Sequence, residues 1–79
     1  MNQKVEWHLN RDSGNWRATI GGWRACVLRM TSTGEWYPYV ERIALPHDRH
    51  DGPHTSGAGA ARAWCEEELI RVGVLAAPE

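Results

Sequence analysis

The 79-residue chain contains no phenylalanine, one lysine and two cysteines, and it has no long hydrophobic run. A helix needs about 20 apolar residues to cross a bilayer, so we expect no membrane-spanning segment. The residues after Met1 are polar, which argues against a secretory signal peptide. The two cysteines, Cys26 and Cys65, lack the CxxC spacing of redox and zinc sites. We expect both to be reduced, buried residues of a cytoplasmic protein.

A strong charge of one sign is also missing. The formal net charge is −1, whereas proteins that coat nucleic acids are usually basic. Residues 1–42 carry six basic and four acidic side chains, and residues 43–79 carry three basic and six acidic ones. Eight of the nine basic residues are arginine, which is better suited than lysine to bidentate and stacked contacts. Local arginine contacts therefore remain open, without long-range attraction to nucleic acid.

Tryptophan is abundant, with five in the chain. A chain of this length buries only about 60% of its unfolded surface, so its core is small. Each tryptophan can bury about 150–250 Å², which makes these residues the main source of core volume. We expect Trp7, Trp16 and Trp64 to lie in the core. Trp23 and Trp36 either complete the core or contact a partner.

Alternating apolar and polar residues predict four short strands. They are expected at about residues 5–9, 16–20, 23–30 and 35–43. Gly21 and Gly22 predict a tight hairpin between the second and third strands, because both accept positive φ. Pro38 cannot donate to a sheet ladder, which favours an edge position or a bulge in the fourth strand. The third strand is apolar on both faces, as is typical of a central strand covered on both sides.

The strand pattern ends at residues 45–57, where proline, glycine, histidine and aspartate cluster and predict a loop. An amphipathic helix is expected over about residues 58–72, stopped by Gly73. Residues 1–79 should therefore form one α+β domain, an antiparallel β-meander of three to four strands with one C-terminal helix packed on one face. Because one helix covers one sheet face, the second face needs a loop, a partner or a second copy of the chain.

Trp7, the runs at 16–20 and 23–28, Gly34-Glu35-Trp36 and the helix sequence at 60–67 together carry a resemblance to known proteins. The pattern resembles small uncharacterised proteins of phages, integron cassettes and other bacterial mobile elements, which join a tryptophan-marked β-meander to one alanine-rich helix. This resemblance implies a fold and a genomic setting. It implies no activity and carries over no catalytic residue.

The predicted sheet supplies the main candidate binding surface. Its candidate residues are Trp23, Arg24, Arg29, Trp36, Tyr37 and Tyr39. Tryptophan, tyrosine and arginine are enriched at protein interface hot spots, and arginine beside exposed aromatics can also clamp single-stranded nucleic acid. We expect a non-enzymatic interaction module that binds a protein partner or forms a homodimer through the second sheet face. A nucleic-acid-binding accessory protein is the alternative.

A second alternative is a metal site in the predicted loop. His47, His50 and His54, interleaved with aspartates, offer nitrogen and oxygen ligands for Zn²⁺ or Ni²⁺. Arg49 lies within this cluster and would repel a cation. We expect no small-molecule cofactor, because the chain has no phosphate-binding glycine motif. No nucleophile lies at a recognisable elbow, so we expect no enzyme activity.

Overall fold

The computed structural model describes residues 5–76 as one antiparallel sheet with a helix on one face. The elements are β1 (His8–Leu9), β2 (Trp16–Ile20), β3 (Trp23–Met30), β4 (Glu35–Arg42), β5 (Leu45–Asp51) and α1 (Ala58–Arg71). The strand order β1-β2-β3-β4-β5 is that of a meander, in which every strand pairs with its neighbour in sequence. The predicted α+β class, antiparallel sheet and C-terminal helix are confirmed.

The predicted number of strands was too low, because the first half of the expected loop at 45–57 forms β5. In this strand Arg49 pairs with Glu41 and Asp51 pairs with Tyr39. Of the seven side chains of β5, five are polar and five are exposed, so the strand lacks the apolar alternation by which a half-buried strand is recognised. Charged residues are common on edge strands, where they discourage pairing with other chains. At the other edge, β1 is shorter than the expected run at 5–9.

Pro38 lies in an interior strand, at a gap in the ladder between β4 and the chain that follows β5. Tyr39 pairs with Asp51, and the next bridge joins Trp36 to Thr55. Three residues on one side of this gap therefore oppose two on the other. The missing N–H of proline falls where regular pairing is interrupted, which explains how β4 tolerates it.

The hairpin between β2 and β3 fixes the register of the sheet. Gly21 and Gly22 have φ values of +55° and +79°, as a two-residue hairpin turn with left-handed central residues requires. This turn sets Ile20 opposite Trp23. A Cβ on Gly21 would lie 2.8 Å from Cγ1 of Val74, so the turn also packs closely against the chain after α1. The register then decides which side chains face the helix.

The core lies between α1 and one face of β2, β3 and β4. Its buried residues are Ala18, Ile20, Trp23, Ala25, Val27, Val40, Ala61, Cys65, Leu69 and Leu75. Alternate side chains of the same strands point to the opposite side, which we call the open face. Within residues 5–76 no helix has the length and apolarity needed to cross a membrane.

Candidate functional site

The strand register arranges the open face as rows of side chains that run across the sheet. The first row contains His8, Arg17, Cys26, Tyr39 and Asp51. The second row contains Thr19, Arg24, Glu41 and Arg49. Beyond the first row, Leu28 lies beside Tyr37 and Met30 beside Glu35. The open face therefore has an apolar band along β3, flanked by arginines and carboxylates.

One half of the open face is a ridge formed by Tyr37, Tyr39, Arg49 and Asp51, which we call the tyrosine–arginine ridge. The Arg49 guanidinium lies 3.9 Å from the centroid of the Tyr39 ring. Its Nη2 donates to the Tyr37 hydroxyl at 2.9 Å, and its Nε donates to Asp51 at 2.8 Å. The Tyr37 hydroxyl also donates to Asp51. Hydrogen bonds from Tyr37 and Arg49 lower the pKa of the Asp51 carboxyl.

The other half of the open face is a cleft of about 460 Å³ at the turn between β1 and β2. Its lining includes Asn10, Arg17, Arg24, Cys26, Leu28 and Tyr39. The turn is held in place by side-chain hydrogen bonds, since Oδ1 of Asn15 accepts from the backbone N–H of Arg29 at 2.8 Å. The cleft thus combines an apolar floor with arginine and amide groups at its rim.

Formal charges on the open face balance. Its arginines are Arg17, Arg24 and Arg49, and its carboxylates are Glu35, Glu41 and Asp51. Arg24 lies 3.7 Å from Glu41, and Arg49 lies 2.8 Å from Asp51. Within the part of the chain that the structure describes, Arg17 forms no salt bridge. The cleft side of the face therefore offers an exposed cation that the fold itself does not neutralise.

Both cysteines are free and buried, and they lie on opposite sides of the sheet. Burial raises the pKa of the Cys26 thiol, although a hydrogen bond with Tyr39 lowers it in part. Burial also raises the pKa of Tyr39, with a further increase from Cys26, to about 12. On the helix side, burial raises the pKa of Cys65 to about 12. Neither thiol is activated as a nucleophile at neutral pH.

The six candidate binding residues divide between the two faces. Arg24, Tyr37 and Tyr39 lie on the open face, whereas Trp23, Arg29 and Trp36 lie on the helix side. Trp23 is 6% exposed and belongs to the core, with the Arg42 guanidinium 5.3 Å from its ring centroid. Trp36 is partly buried against the core. The two tryptophans that the sequence left open therefore pack within the chain.

The three histidines of the predicted metal site lie in different surroundings. Nδ1 of His50 lies 2.7 Å from Oε2 of Glu68 on the helix side. The His54 ring packs against Tyr37 at 5.3 Å between centroids, and His47 is exposed. Between residues 5 and 76 no three His, Cys, Asp or Glu side chains form a group that could hold a metal ion. The structure does not bring the three histidines together.

The buried carboxylate of Glu68 joins β5 to α1. The run of three glutamates at 66–68 did not predict that one of them would be buried. Glu68 is 6% exposed, because it points toward β5 rather than to solvent. Its Oε1 lies 3.2 Å from Nη1 of Arg71, without the alignment of a hydrogen bond. On the far side of the imidazole, Nε2 of His50 lies 3.5 Å from Asp48. These contacts fix β5 against the helix, which positions the tyrosine–arginine ridge on the opposite face.

Sequence reasoning also missed Arg49 and Asp51 as parts of the candidate surface, because both fell in the expected loop. The position of Arg17 on the open face follows from the hairpin at Gly21 and Gly22. Counting outward from that turn sets Arg17 opposite Cys26. Comparison with known proteins adds no assignment, because no family model matches the chain and no curated protein or solved structure shows significant similarity to it.

Proposed function

We propose that this protein is a non-enzymatic interaction module that binds a protein through the open face of its sheet. The observation that carries this proposal is the combination of an apolar centre with a charge-balanced rim. Leu28, Met30, Tyr37 and Tyr39 are half-buried on a face that α1 does not cover. Interface cores are enriched in tyrosine, methionine and arginine and depleted in lysine and acidic residues.

The tyrosine–arginine ridge favours a protein over a nucleic acid as the ligand. Single-stranded nucleic acids bind aromatic rings by base stacking, but the Arg49 guanidinium already occupies a face of Tyr39 at 3.9 Å. Phosphate contacts need cations that are free to neutralise them. On this face Arg49 is held by Asp51 and Arg24 lies 3.7 Å from Glu41, which leaves Arg17 alone. Among the candidate tryptophans, Trp23 and Trp36 lie on the helix side. The surface therefore lacks an open stacking platform.

The non-enzymatic part of the proposal is supported by the ionisable groups of the cleft floor. A general acid or base works best with a pKa near the working pH. The pKa of Cys26 is raised, and that of Tyr39 is raised to about 12. Both groups are therefore neutral and unreactive at physiological pH. We place the module in the bacterial cytoplasm, in the mobile-element setting that the sequence resemblance implies.

Site-specific photo-cross-linking in bacterial cells tests the proposed binding face. Benzoylphenylalanine is introduced in place of Tyr37 on the open face and, as a matched control, in place of Ala63 on the exposed side of α1. Circular dichroism of each purified variant checks that it folds. We expect a protein adduct from the Tyr37 variant and none from the Ala63 variant.

Three results would overturn the proposal. They are the absence of an adduct at Tyr37, equal adducts at Tyr37 and Ala63, and an adduct at Tyr37 that a nuclease removes. The last result would establish the nucleic-acid alternative instead.

A further inference from the structure

We infer that the partner is a second copy of this chain, bound face to face about a two-fold axis that runs parallel to the strands between β3 and β4. This inference rests on the proposed binding face and adds the identity and register of its occupant. A two-fold interface uses the same patch on both copies, so the patch must be complementary to itself. The rows of the open face meet this condition.

The axis places β3 of one copy over β4 of the other, and β2 over β5. Residues that are register partners lie at the same height along the strands, so each row of side chains faces the same row of the second copy. In the first row, Arg17 then faces Asp51, and Cys26 faces Tyr39. Each contact occurs twice because of the symmetry.

The neighbouring rows match as well. In the second row, Arg24 faces Glu41 of the other copy. In the row beyond the first, Leu28 faces Tyr37, which buries two half-exposed apolar side chains against each other. Opposite charges therefore meet in two rows, and the apolar band along β3 is covered between them.

Charge disfavours two other placements of the axis. An axis along β3 itself would set Arg24 against its own copy. An axis across the strands at the height of the first row would set Arg17 against its own copy. Like charges in direct opposition disfavour an interface by several kcal/mol. The placement between β3 and β4 avoids both clashes and pairs the exposed Arg17 with Asp51 of the other copy.

The position of the cleft and the area of the open face are consistent with the same axis. Most residues that line the 460 Å³ cleft lie on β1–β3 and the turn between β1 and β2, whereas the exposed Asp51 lies on β5, so the axis places Asp51 over the cleft of the other copy. The four strands that overlap, β2 to β5, contain 28 residues. At about 3.3 Å by 4.8 Å for each residue, they give a face of roughly 440 Å² before side-chain relief. Standard interfaces bury about 800 Å² per partner, and smaller ones are weak or transient, so a face of this size fits a weak, reversible dimer.

A charge-reversal pair tests this register. Arg17→Asp sets two carboxylates against each other in the homodimer, and Asp51→Arg sets two arginines against each other. In an equimolar mixture of the two variants, every contact between residues 17 and 51 again joins opposite charges. Arg11→Asp, in the exposed turn outside the face, is the matched control for the change in net charge. Sedimentation equilibrium from 5 µM to 1 mM, on the order of the range where such dimers dissociate, measures the association.

We expect a reversible wild-type dimer that the Arg11→Asp variant retains. Each variant at position 17 or 51 alone should associate on the order of 30-fold more weakly, since two exposed ion pairs become repulsive. The mixture should recover wild-type association within about threefold. This recovery also shows that Asp51→Arg, which removes the contacts of Asp51 with Arg49 and Tyr37, still folds.

Failure of the register and failure of the binding face give different results. A mixture that associates no better than its components overturns the register. A wild-type chain that stays monomeric, with cross-links from Tyr37 to a protein of another mass, overturns the second copy as partner and leaves the binding face standing. A monomeric chain without any Tyr37 adduct overturns both.

Discussion

The buried thiol of Cys65 should make the fold sensitive to alkaline pH. Cys65 is 0% exposed, and its Sγ lies 3.7 Å from the backbone carbonyl oxygens of both Cys26 and Tyr39, which share its single S–H donor. Burial raises its pKa from the ordinary 9.0 to about 12. Between these two values the unfolded chain releases a proton that the folded chain keeps, so stability falls as the pH rises. The contribution of this thiol is fully present below pH 9.

The size of the effect follows from the shift. At pH 10.5 the linkage amounts to about 2 kcal/mol for this thiol alone. A domain of this length is stable by about 5–10 kcal/mol, so the loss is a large share of the total. The raised pKa values of Cys26 and Tyr39 act in the same direction, because both groups also ionise more readily in the unfolded chain.

Urea unfolding under reducing conditions, followed by tryptophan fluorescence, measures this dependence. The pH values are about 7.5, 9.0 and 10.5, which span the thiol pKa of about 9 in unfolded chains. The Cys65→Ala variant is the comparison. It should lose about 1 kcal/mol at pH 7.5, because it leaves a small cavity. Between pH 7.5 and 10.5 it should lose about 2 kcal/mol less than the wild type. Parallel pH profiles for the two proteins would refute the reasoning.

Two further predictions concern the packing of β5 and the turn after it against α1. A Cβ on Gly52 would lie 2.6–2.8 Å from the Trp64 ring, so Gly52→Ala should destabilise the fold by about 1–3 kcal/mol. The control substitution Gly59→Ala, in the first turn of α1, should stabilise the fold by roughly 0.5–1 kcal/mol. Thermal unfolding of both variants should show a lower melting temperature for Gly52→Ala and a higher one for Gly59→Ala. Equal changes would contradict the close contact between Gly52 and Trp64. The hydrogen bond between His50 and Glu68 should contribute a coupling of about 1.5–3 kcal/mol, measured by a double-mutant cycle of alanine variants in urea, and additive losses would show that the pair is uncoupled.

The parts of the fold that the sequence predicted are those with local signals. β2 and β3 have clear alternation and a hairpin that allows one register. The helix at α1 follows from its apolar stripe and from Gly73, which has φ of +86°. β5 lacks such a signal, since its partner and its contacts with α1 exist only after the sheet has formed. Tertiary pairing therefore creates a strand that local propensity does not indicate.

The candidate surface was harder to predict than the fold because β3 is apolar on both faces. One face carries Trp23, Ala25 and Val27, and the other carries Cys26, Leu28 and Met30. Composition does not decide which face the helix covers. Packing against Val40 and Leu69, both 0% exposed, selects the first face. Trp23 then lies in the core, and tyrosines and arginines remain on the open face. Trp7, Trp16 and Trp64, which the sequence placed in the core, are only partly buried against it, as is Trp36.

β5, which the sequence did not predict, has a different role on each face of the sheet. On the helix side, His50 is held by Glu68 at 2.7 Å, and this contact bears on stability. On the open face, Arg49 and Asp51 build the tyrosine–arginine ridge and bear on binding. Because successive residues of a strand point to opposite faces, neighbouring substitutions should separate the two properties. His50→Ala should lower the free energy of unfolding and leave association of the folded chain intact, whereas Asp51→Arg should weaken association far more than it weakens the fold.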